Sequence, residues 1–227
     1  MDFVVAIITS TAGLLAILKF VIWYKNERKS NKRPLKVFVK DHNIYGSYMD
    51  GSERQLTHQS ADHNPIHVSQ KSKIIFLRSQ HVSSDRDYVR YILMSLDSLT
   101  LEEKILADQK PFRDGLDFTF EILQPSQMTV SPDKSKVFLI IEKYATGSEL
   151  VQVNIDTGKF EDLFSAETFD IIKSGRLKGK FLVGSSEIHD RGRDIYYKVC
   201  DAKGNVLKRF EDYEEYMRFR SQALIGK

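Results

Sequence analysis

Short runs of β-branched and aromatic residues recur between residues 36 and 210, and polar residues alternate with them. Each run is bounded by glycine, proline, aspartate, asparagine or serine, which is typical of short strands separated by turns. Long amphipathic helical patterns do not occur in this region. The sequence therefore predicts an all-β sandwich, barrel or propeller. The runs are KVFVK (36–40), KIIFLRS (73–79), VRYILMSL (89–96), KVFLIIEK (136–143), ELVQVNI (149–155), KFLVGSS (180–186) and IYYKV (195–199).

A strand–turn–strand unit occurs four times among these runs. Each copy has an alternating strand, an aspartate, a turn and a second strand, and in three copies a glycine follows the aspartate within three residues. Aspartate caps its own backbone in such turns, and glycine accepts a positive φ. The aspartates are 47, 59 and 45 residues apart, near the roughly 40–50 residues of a propeller blade, and an insertion at residues 107–125 explains the long step. The predicted repeat turns contain Asp50 and Gly51, Asp97, Asp156 and Gly158, and Asp201 and Gly204.

A second element precedes these hairpins. QMTVSPDKSKVFLIIEK contains a short strand, a turn at Ser131, Pro132 and Asp133, and then a buried strand, and NPIHVSQKSKIIFLRS has the same form. MTVSPDKSKVFLI followed by LVQVNIDTGKFEDL resembles the WD-like repeats of TolB-type β-propellers, and this resemblance implies a propeller. Three whole units and a partial unit at residues 36–57 predict a small, about four-bladed β-propeller-like domain. A larger ring shared by two chains and an open array of sheets are the alternatives.

The N-terminal stretch has a different character. Residues 3–24, FVVAIITSTAGLLAILKFVIWY, are apolar except for Lys19 and three hydroxyl side chains, and about 20 apolar residues cross a bilayer as a helix. The stretch has neither the basic n-region nor the small-residue cleavage site of a signal peptide. We therefore predict one retained transmembrane helix, in which Lys19 snorkels to the headgroups and two aromatic residues form an interfacial belt. The predicted membrane-interface residues are Lys19, Trp23, Tyr24, Lys25, Arg28, Lys29, Lys32 and Arg33.

The charges around this span predict its orientation. All lysines and arginines near the span lie on its C-terminal side, within residues 19–36. The positive-inside rule therefore places residues 25–227 in the cytoplasm of a bacterial cell, with the span in the inner membrane. A periplasmic location is the alternative, because TolB-type proteins act there. The basic run can also attract anionic lipid headgroups.

Composition and motifs give no indication of an enzyme. A net charge of +3 lacks the strong basic footprint of a nucleic-acid binder, and a single cysteine excludes a cysteine-based zinc cluster. No G-x-S-x-G elbow, phosphate-binding glycine loop or dinucleotide fingerprint is present. His58, Asp62, His63 and His67 have metal-ligand chemistry, but on a strand His63 and His67 lie about 13 Å apart. We expect no catalytic residue, no cofactor and no metal, with a histidine metal site as the minor alternative.

Two polar hairpin tips and the C-terminal tail are candidate binding elements. HVSSDRDYVR and GSSEIHDRGRD form the tips, where loops on a rigid scaffold can bind a partner. In the tail, Tyr213, Tyr216, Met217 and Leu224 fall near one face of a predicted helix. That helix either packs on the side of the propeller or binds a partner. The tentative binding residues of the tips are Arg86, Arg191 and Arg193.

The sequence divides into a transmembrane helix (1–24), a basic juxtamembrane linker (25–35), a propeller domain (36–211) and a short C-terminal helix or tail (212–227). We expect a non-catalytic, membrane-tethered binding or sensor module that presents propeller loops to a protein or a small ligand. The first alternative is a stress or defence effector whose membrane helices associate when the β domain binds a signal. The second is an exported TolB-like periplasmic factor. The expected partners are the membrane, a protein and, if chains share a ring, a second copy, but no nucleic acid.

Overall fold

The computed structural model describes Leu15, Ile17–Lys19 and residues 33–81, 89–108, 121–122, 127–143, 147–189 and 192–225. Over these residues sixteen strands form four antiparallel sheets, and a helix follows the last strand. The fold is mostly β, as the alternating pattern predicts.

The elements follow one another sheet by sheet along the chain. The first sheet contains β1 (Lys36–Lys40), β2 (Asn43–Ser47) and β3 (Glu53–Gln55). The second contains β4 (Asp62–Val68), β5 (Lys73–His81), β6 (Val89–Asp97) and β7 (Glu103–Ala107), with a 3-10 turn at Ser69–Lys71. The third contains β8 (Glu121–Ile122), β9 (Thr129–Val130), β10 (Lys136–Lys143), β11 (Gly147–Asn154) and β12 (Phe160–Ser165). The fourth contains β13 (Thr168–Ile171), β14 (Phe181–His189), β15 (Gly192–Cys200) and β16 (Val206–Arg209), and α1 spans Tyr213–Leu224.

Neighbouring strands in each sheet are also neighbours in sequence, so each sheet is an antiparallel meander. β5 and β6 pair over nine residues, from Lys73 opposite Asp97 to His81 opposite Val89. The exception is β8, which pairs with β10 beside β9 although β9 lies between them in sequence. A four-stranded meander is the form of a propeller blade.

Successive side chains of a strand point to opposite faces of its sheet, and both faces of the second and third sheets are buried between layers. In β5, Ile75 and Leu77 pack in a core shared with the third sheet, while Ile74 and Phe76 pack with the first sheet. In β10, Phe138 and Ile140 continue this stacking toward the fourth sheet. The four sheets therefore stack in chain order, which gives a propeller-like arrangement.

The helix α1 covers the outer face of the fourth sheet. Tyr216 and Ala223 of the helix pack against Leu182 and Val199 of the sheet. Asp212 caps the helix, since its carboxylate accepts a hydrogen bond of 2.7 Å from the Glu215 backbone N–H. Among the described residues, the apolar clusters run from the first sheet to α1 and none joins the fourth sheet to the first. Closure of four blades into a ring stays a prediction.

The hairpin turns repeat in two forms. In the turns at 97–102 and 154–159, Asp97 and Asn154 occupy the same position, because each side chain accepts hydrogen bonds from the backbone N–H groups two and three residues later. The turns at 48–52 and 201–205 are shorter and also resemble each other, with Gly51 and Gly204 at positive φ. By this equivalence β1–β3 correspond to the last three strands of the other sheets.

These turns define one end of the stack, here called the turn end. Because strands alternate in direction, the connections at 69–72, 131–135 and 172–180 lie at the same end as the hairpin turns. β1 also starts there, where the Leu35 N–H donates to the Ser47 carbonyl over 2.7 Å. β1, β5, β10 and β14 run toward the opposite end, here called the hairpin end.

The described part of the N-terminal stretch is short. Leu15 and Ile17–Lys19 are helical, and the side chains of Leu15, Ile17 and Leu18 are exposed. Among the described residues, no helix is both long and apolar enough to cross a membrane. Most of the predicted span lies outside these residues, as do several predicted interface residues: Trp23, Tyr24, Lys25, Arg28, Lys29 and Lys32.

Candidate functional site

A cavity of about 550 Å³ lies between α1, the segment around β9 of the third sheet and β13 of the fourth sheet. This volume falls within the usual range of ligand pockets, about 300–1,000 Å³. We call this cavity the helix pocket. Its lining residues are Gln127, Met128, Thr129, Thr168, Phe169, Asp170, Ile171, Lys173, Tyr197, Tyr213, Tyr216, Met217, Arg220 and Leu224.

One face of α1 forms a wall of the helix pocket. Tyr213, Tyr216, Met217, Arg220 and Leu224 follow the spacing of three and four residues that places side chains on one helical face. The sequence pattern predicts four of them, all except Arg220, near one face of a helix. The opposite wall comes from β9 and β13, which only the stacking of the sheets brings next to the helix.

Three tyrosines form an aromatic cluster in this wall. The rings of Tyr197 and Tyr216 stack with centroids 4.0 Å apart and an interplanar angle of 22°. Tyr213 lies 5.7 Å from Tyr197 and 5.9 Å from Tyr216. Burial raises the pKa of Tyr216 above its ordinary value. Stacked tyrosines offer a flat, rigid apolar surface to a ligand.

The charged groups of the helix pocket belong to two different elements. Arg220 Nε on α1 donates a hydrogen bond of 2.8 Å to Asp170 Oδ2 on β13, and this bond is the main reason why the pKa of Arg220 is raised. Lys173 lies at the same edge, where its backbone N–H donates to the Ala223 carbonyl over 2.9 Å. The pocket therefore combines an aromatic wall with fixed charges of both signs.

A second cavity, of about 540 Å³, adjoins the helix pocket near the start of α1. Tyr197 and Tyr213 line both cavities. The remaining lining is acidic and apolar, and Ile195 is 58% exposed. The residues that line this second cavity alone are Asp194, Ile195, Tyr196, Phe210, Glu211 and Asp212.

The histidine segment does not converge on one point. His63 packs edge to face on His42 and Tyr91, with both centroid distances 5.9 Å, and burial lowers its pKa. Asp62 is fully buried and accepts a hydrogen bond of 2.7 Å from Arg78 Nε. In the described part of the chain, no group of three or more histidine, cysteine or acidic side chains is arranged to hold a metal ion.

Several predicted repeat turns also hold charges. Asp133, after Pro132, accepts hydrogen bonds from the Ser131 and Ser135 hydroxyls at 2.5 and 2.7 Å, and these bonds lower its pKa to about 2. The carboxylates of Asp50 and Asp201 accept bonds from their own turns, from the Ser52 and Lys203 backbone N–H groups.

Asp156 has a different role from the other turn aspartates. Asn154 caps its turn, which leaves the Asp156 carboxylate to pair with Lys71 and with Lys73, at 3.1 Å, on the neighbouring sheet. Lys104 Nζ also donates to the Asp156 carbonyl over 3.2 Å. These contacts join the second and third sheets at the turn end. Because Lys71 and Asp156 are 85 residues apart in sequence, no local pattern could predict their pairing.

Gly158 and Gly204 have a packing role beyond their positive φ. A Cβ on Gly158 would lie 3.1 Å from the Leu106 carbonyl oxygen, and one on Gly204 would lie 3.3 Å from Phe164 Cβ. Each glycine therefore lets its turn approach the last strand of the preceding sheet.

The predicted loop arginines are not placed at a site. Arg86 and Arg191 lie outside the described residues, and for Arg193 only the backbone is described, opposite Ile188 in the β14–β15 pair. β15, which contains Arg193, begins at the hairpin end. The binding role of these arginines stays a prediction.

Comparison with solved structures supports the fold. The chain is similar to Porphyromonas gingivalis dipeptidyl peptidase 4, with a TM-score of 0.53 and 13% identity, over 78% of this chain and 31% of that one. Lower TM-scores relate it to the β-propeller domain of the Trilobed protease from Pyrococcus furiosus (0.42; 10% identity; 67% of this chain and 42% of that one) and to TolB from Acinetobacter baumannii (0.31; 14%; 75% and 49%).

The chain thus spans about a third of the length of the peptidase that it matches. At these identities the similarity concerns the fold alone. No protein-family model matches the chain, and no curated protein matches it.

Proposed function

We propose that this protein is a non-catalytic, membrane-tethered binding module that holds its ligand in the helix pocket. The pocket itself is the main support, because it combines suitable volume, an aromatic wall and a few convergent polar groups. Among the described residues that line it there is no serine, cysteine or histidine, so a serine or cysteine nucleophile paired with a histidine base is missing from them.

The chemistry of the lining suggests the kind of ligand. Tyr213, Tyr216 and Met217 offer apolar contact area, which favours a ring or another flat apolar group. Asp170 and Arg220 already neutralise each other, so a ligand with both a donor and an acceptor gains more than a simple ion does. We therefore propose a small ligand with a planar group and polar substituents, or a partner side chain of the same chemistry.

The N-terminal stretch supports the tether. Residues 3–24 have the length and composition of a membrane span, and the described side chains Leu15, Ile17 and Leu18 are exposed rather than packed on the β core. Such exposed apolar side chains are unfavourable in water and favourable in lipid.

Ligand binding is tested on the full chain purified in detergent. A panel of small molecules with a ring and polar substituents is screened by thermal unfolding, and binders are confirmed by native mass spectrometry. Met217→Trp fills the pocket and should abolish the stabilisation, while Gln222→Trp, on an exposed part of the same helix, should keep it. A ligand that stabilises both variants equally binds elsewhere and contradicts this assignment.

The tether is tested separately by membrane fractionation. The full chain should remain in the membrane pellet after an alkaline carbonate wash, and a chain lacking residues 3–24 should move to the supernatant. Release of the full chain by the wash would contradict the membrane role without affecting the helix pocket. Replacement of the span by an unrelated membrane helix should preserve function in a binding module, whereas an effector that acts through its own span would lose it.

A further inference from the structure

The connection between β13 and β14 is the most basic loop at the turn end. Residues 173–180, KSGRLKGK, contain Lys173, Arg176, Lys178 and Lys180 and no acidic residue. Lys173, Arg176 and Lys178 are exposed, and none of the four forms an ion pair with a described residue. This segment is called the basic loop.

The basic loop is held in a defined conformation. The Gly179 N–H donates to the Ile172 carbonyl over 2.8 Å, and the Lys180 N–H donates to the Leu177 carbonyl over 3.0 Å. Leu177 packs in the core between the fourth sheet and α1, and the Ser174 hydroxyl donates to the Gln222 carbonyl over 3.2 Å. Its cations are therefore presented by a folded loop at low additional entropy cost.

The other charges of the turn end are largely balanced there. Asp156 pairs with lysines of the second sheet, and Asp133 is hydrogen-bonded by its own turn. Asp201 is near Lys180 but accepts bonds from Asn205 and the Lys203 N–H. Arg54 pairs with Asp50 over 3.2 Å. Among the described connections at the turn end, the basic loop has the largest number of cations and no acidic residue.

The linker enters the domain at this same end. β1 starts at Lys36 in the turn end, and residues 25–35 can extend over at most about 40 Å. Nine-residue strands are about 30 Å long, so a linker of this length reaches the turn end much more readily than the hairpin end. A membrane tether attached through this linker therefore favours an orientation in which the turn end faces the bilayer.

We infer that the basic loop docks on the anionic headgroups of the membrane that holds the tether, and so fixes the orientation of the β domain. Docking directs the hairpin end away from the bilayer. The inference rests on the proposed tether. Each basic residue near an anionic surface shifts such an equilibrium by about fivefold, and the shift fades in high salt because the Debye length falls to about 3 Å at 1 M.

The test uses the full chain in lipid nanodiscs, with or without phosphatidylserine in a phosphatidylcholine bilayer. A fluorophore is attached at Ala202→Cys, on an exposed turn at the turn end, and in a separate protein at Ile195→Cys, near the hairpin end. Cys200 is buried and does not compete for the label. Quenching by a headgroup-bound quencher reports how close each site lies to the bilayer.

We expect anionic lipid to increase quenching at position 202 several-fold and to leave position 195 nearly unchanged. Arg176→Glu with Lys178→Glu should abolish that increase, and so should 1 M salt. As a matched control, Lys198→Glu with Arg209→Glu reverses two charges on β15 and β16 and should preserve it.

Three outcomes would overturn the inference. They are equal quenching in both lipids, an increase that survives reversal at Arg176 and Lys178, or charge-dependent binding of a short RNA to the basic loop in preference to anionic lipid. Failure of the chain to enter discs of either lipid would instead contradict the proposed tether.

Discussion

Arg220 Nε lies 2.8 Å from Asp170 Oδ2, and this pair joins α1 to the first strand of the fourth sheet beside the helix pocket. Both side chains are partly exposed, at 40% and 33%, so water screens their attraction. In a double-mutant cycle with Arg220→Met and Asp170→Asn, we expect a coupling of about 0.5–1 kcal/mol by urea unfolding followed by circular dichroism. The more exposed pair Lys159 and Glu161 should couple less. A coupling indistinguishable from zero for Arg220 and Asp170 would show that the bond does not help to hold α1.

The buried pair of Asp62 and Arg78 should be far more sensitive. Asp62 is fully buried, Arg78 is 14% exposed, and Arg78 also contacts Glu103 Oε2 over 2.6 Å. Asp62→Ala leaves a buried guanidinium with only one of its two carboxylate partners, and we expect a loss of about 3 kcal/mol in the free energy of unfolding.

Glu103→Gln is the control for this prediction, because the Asp62 bond remains and Glu103 is 29% exposed. We expect a loss of about 1 kcal/mol or less by urea unfolding. Similar losses in the two variants would contradict the central role of Asp62.

Much of the fold could be predicted because its signals are local. The apolar runs in KIIFLRS and KVFLIIEK indicated β5 and β10, and these runs are continuous because both faces of each strand are buried between sheets. The turn at Pro132 and Asp133 could also be predicted, because its hydrogen bonds join residues no more than five positions apart. In contrast, the alignment of Asp156 with Asp97 missed that Asn154 caps the turn, since either residue type can accept those bonds.

Only one wall of the helix pocket could be predicted from the sequence. The spacing of Tyr213, Tyr216 and Met217 indicated one face of a helix, but nothing local showed that Thr129 and Asp170 face it. The same limit applies to Asp62, whose chemistry suggested a metal ligand although its partner is Arg78, sixteen residues away. Residue type indicates what a side chain can bind, and the stacking of sheets decides which group it meets.

Leu101 should be replaceable by glycine with a gain in stability. Its φ is 61°, and the equivalent residue of the next sheet is Gly158, with a φ of 74°. A side chain in the left-handed region costs about 1–2 kcal/mol, and Leu101 is 49% exposed. After the entropy cost of glycine, we expect Leu101→Gly to add about 0.5 kcal/mol in urea unfolding.

The reverse change at Gly158 supplies the matched control. Gly158→Leu takes on the same backbone cost, and its Cβ would lie 3.1 Å from the Leu106 carbonyl oxygen. We expect a loss of about 2 kcal/mol. A destabilised Leu101→Gly variant would show that the leucine side chain contributes more by packing than its backbone costs.

Asp133 should contribute a pH-dependent part of the stability. Hydrogen bonds from Ser131 and Ser135 lower its pKa from 3.8 to about 2 in the folded protein, so the folded state favours the carboxylate more than the unfolded state does. Its contribution is therefore present above about pH 4 and is lost as the pH falls from about 4 to 2. Because Asp133 is exposed, we expect no more than about 1 kcal/mol. In thermal unfolding between pH 7 and pH 2, Asp133→Asn should be less stable than the wild type at neutral pH and equal to it near pH 2, and Ser135→Ala should show part of the same effect. Parallel stability curves for the wild type and Asp133→Asn over this range would contradict the assigned hydrogen bonds.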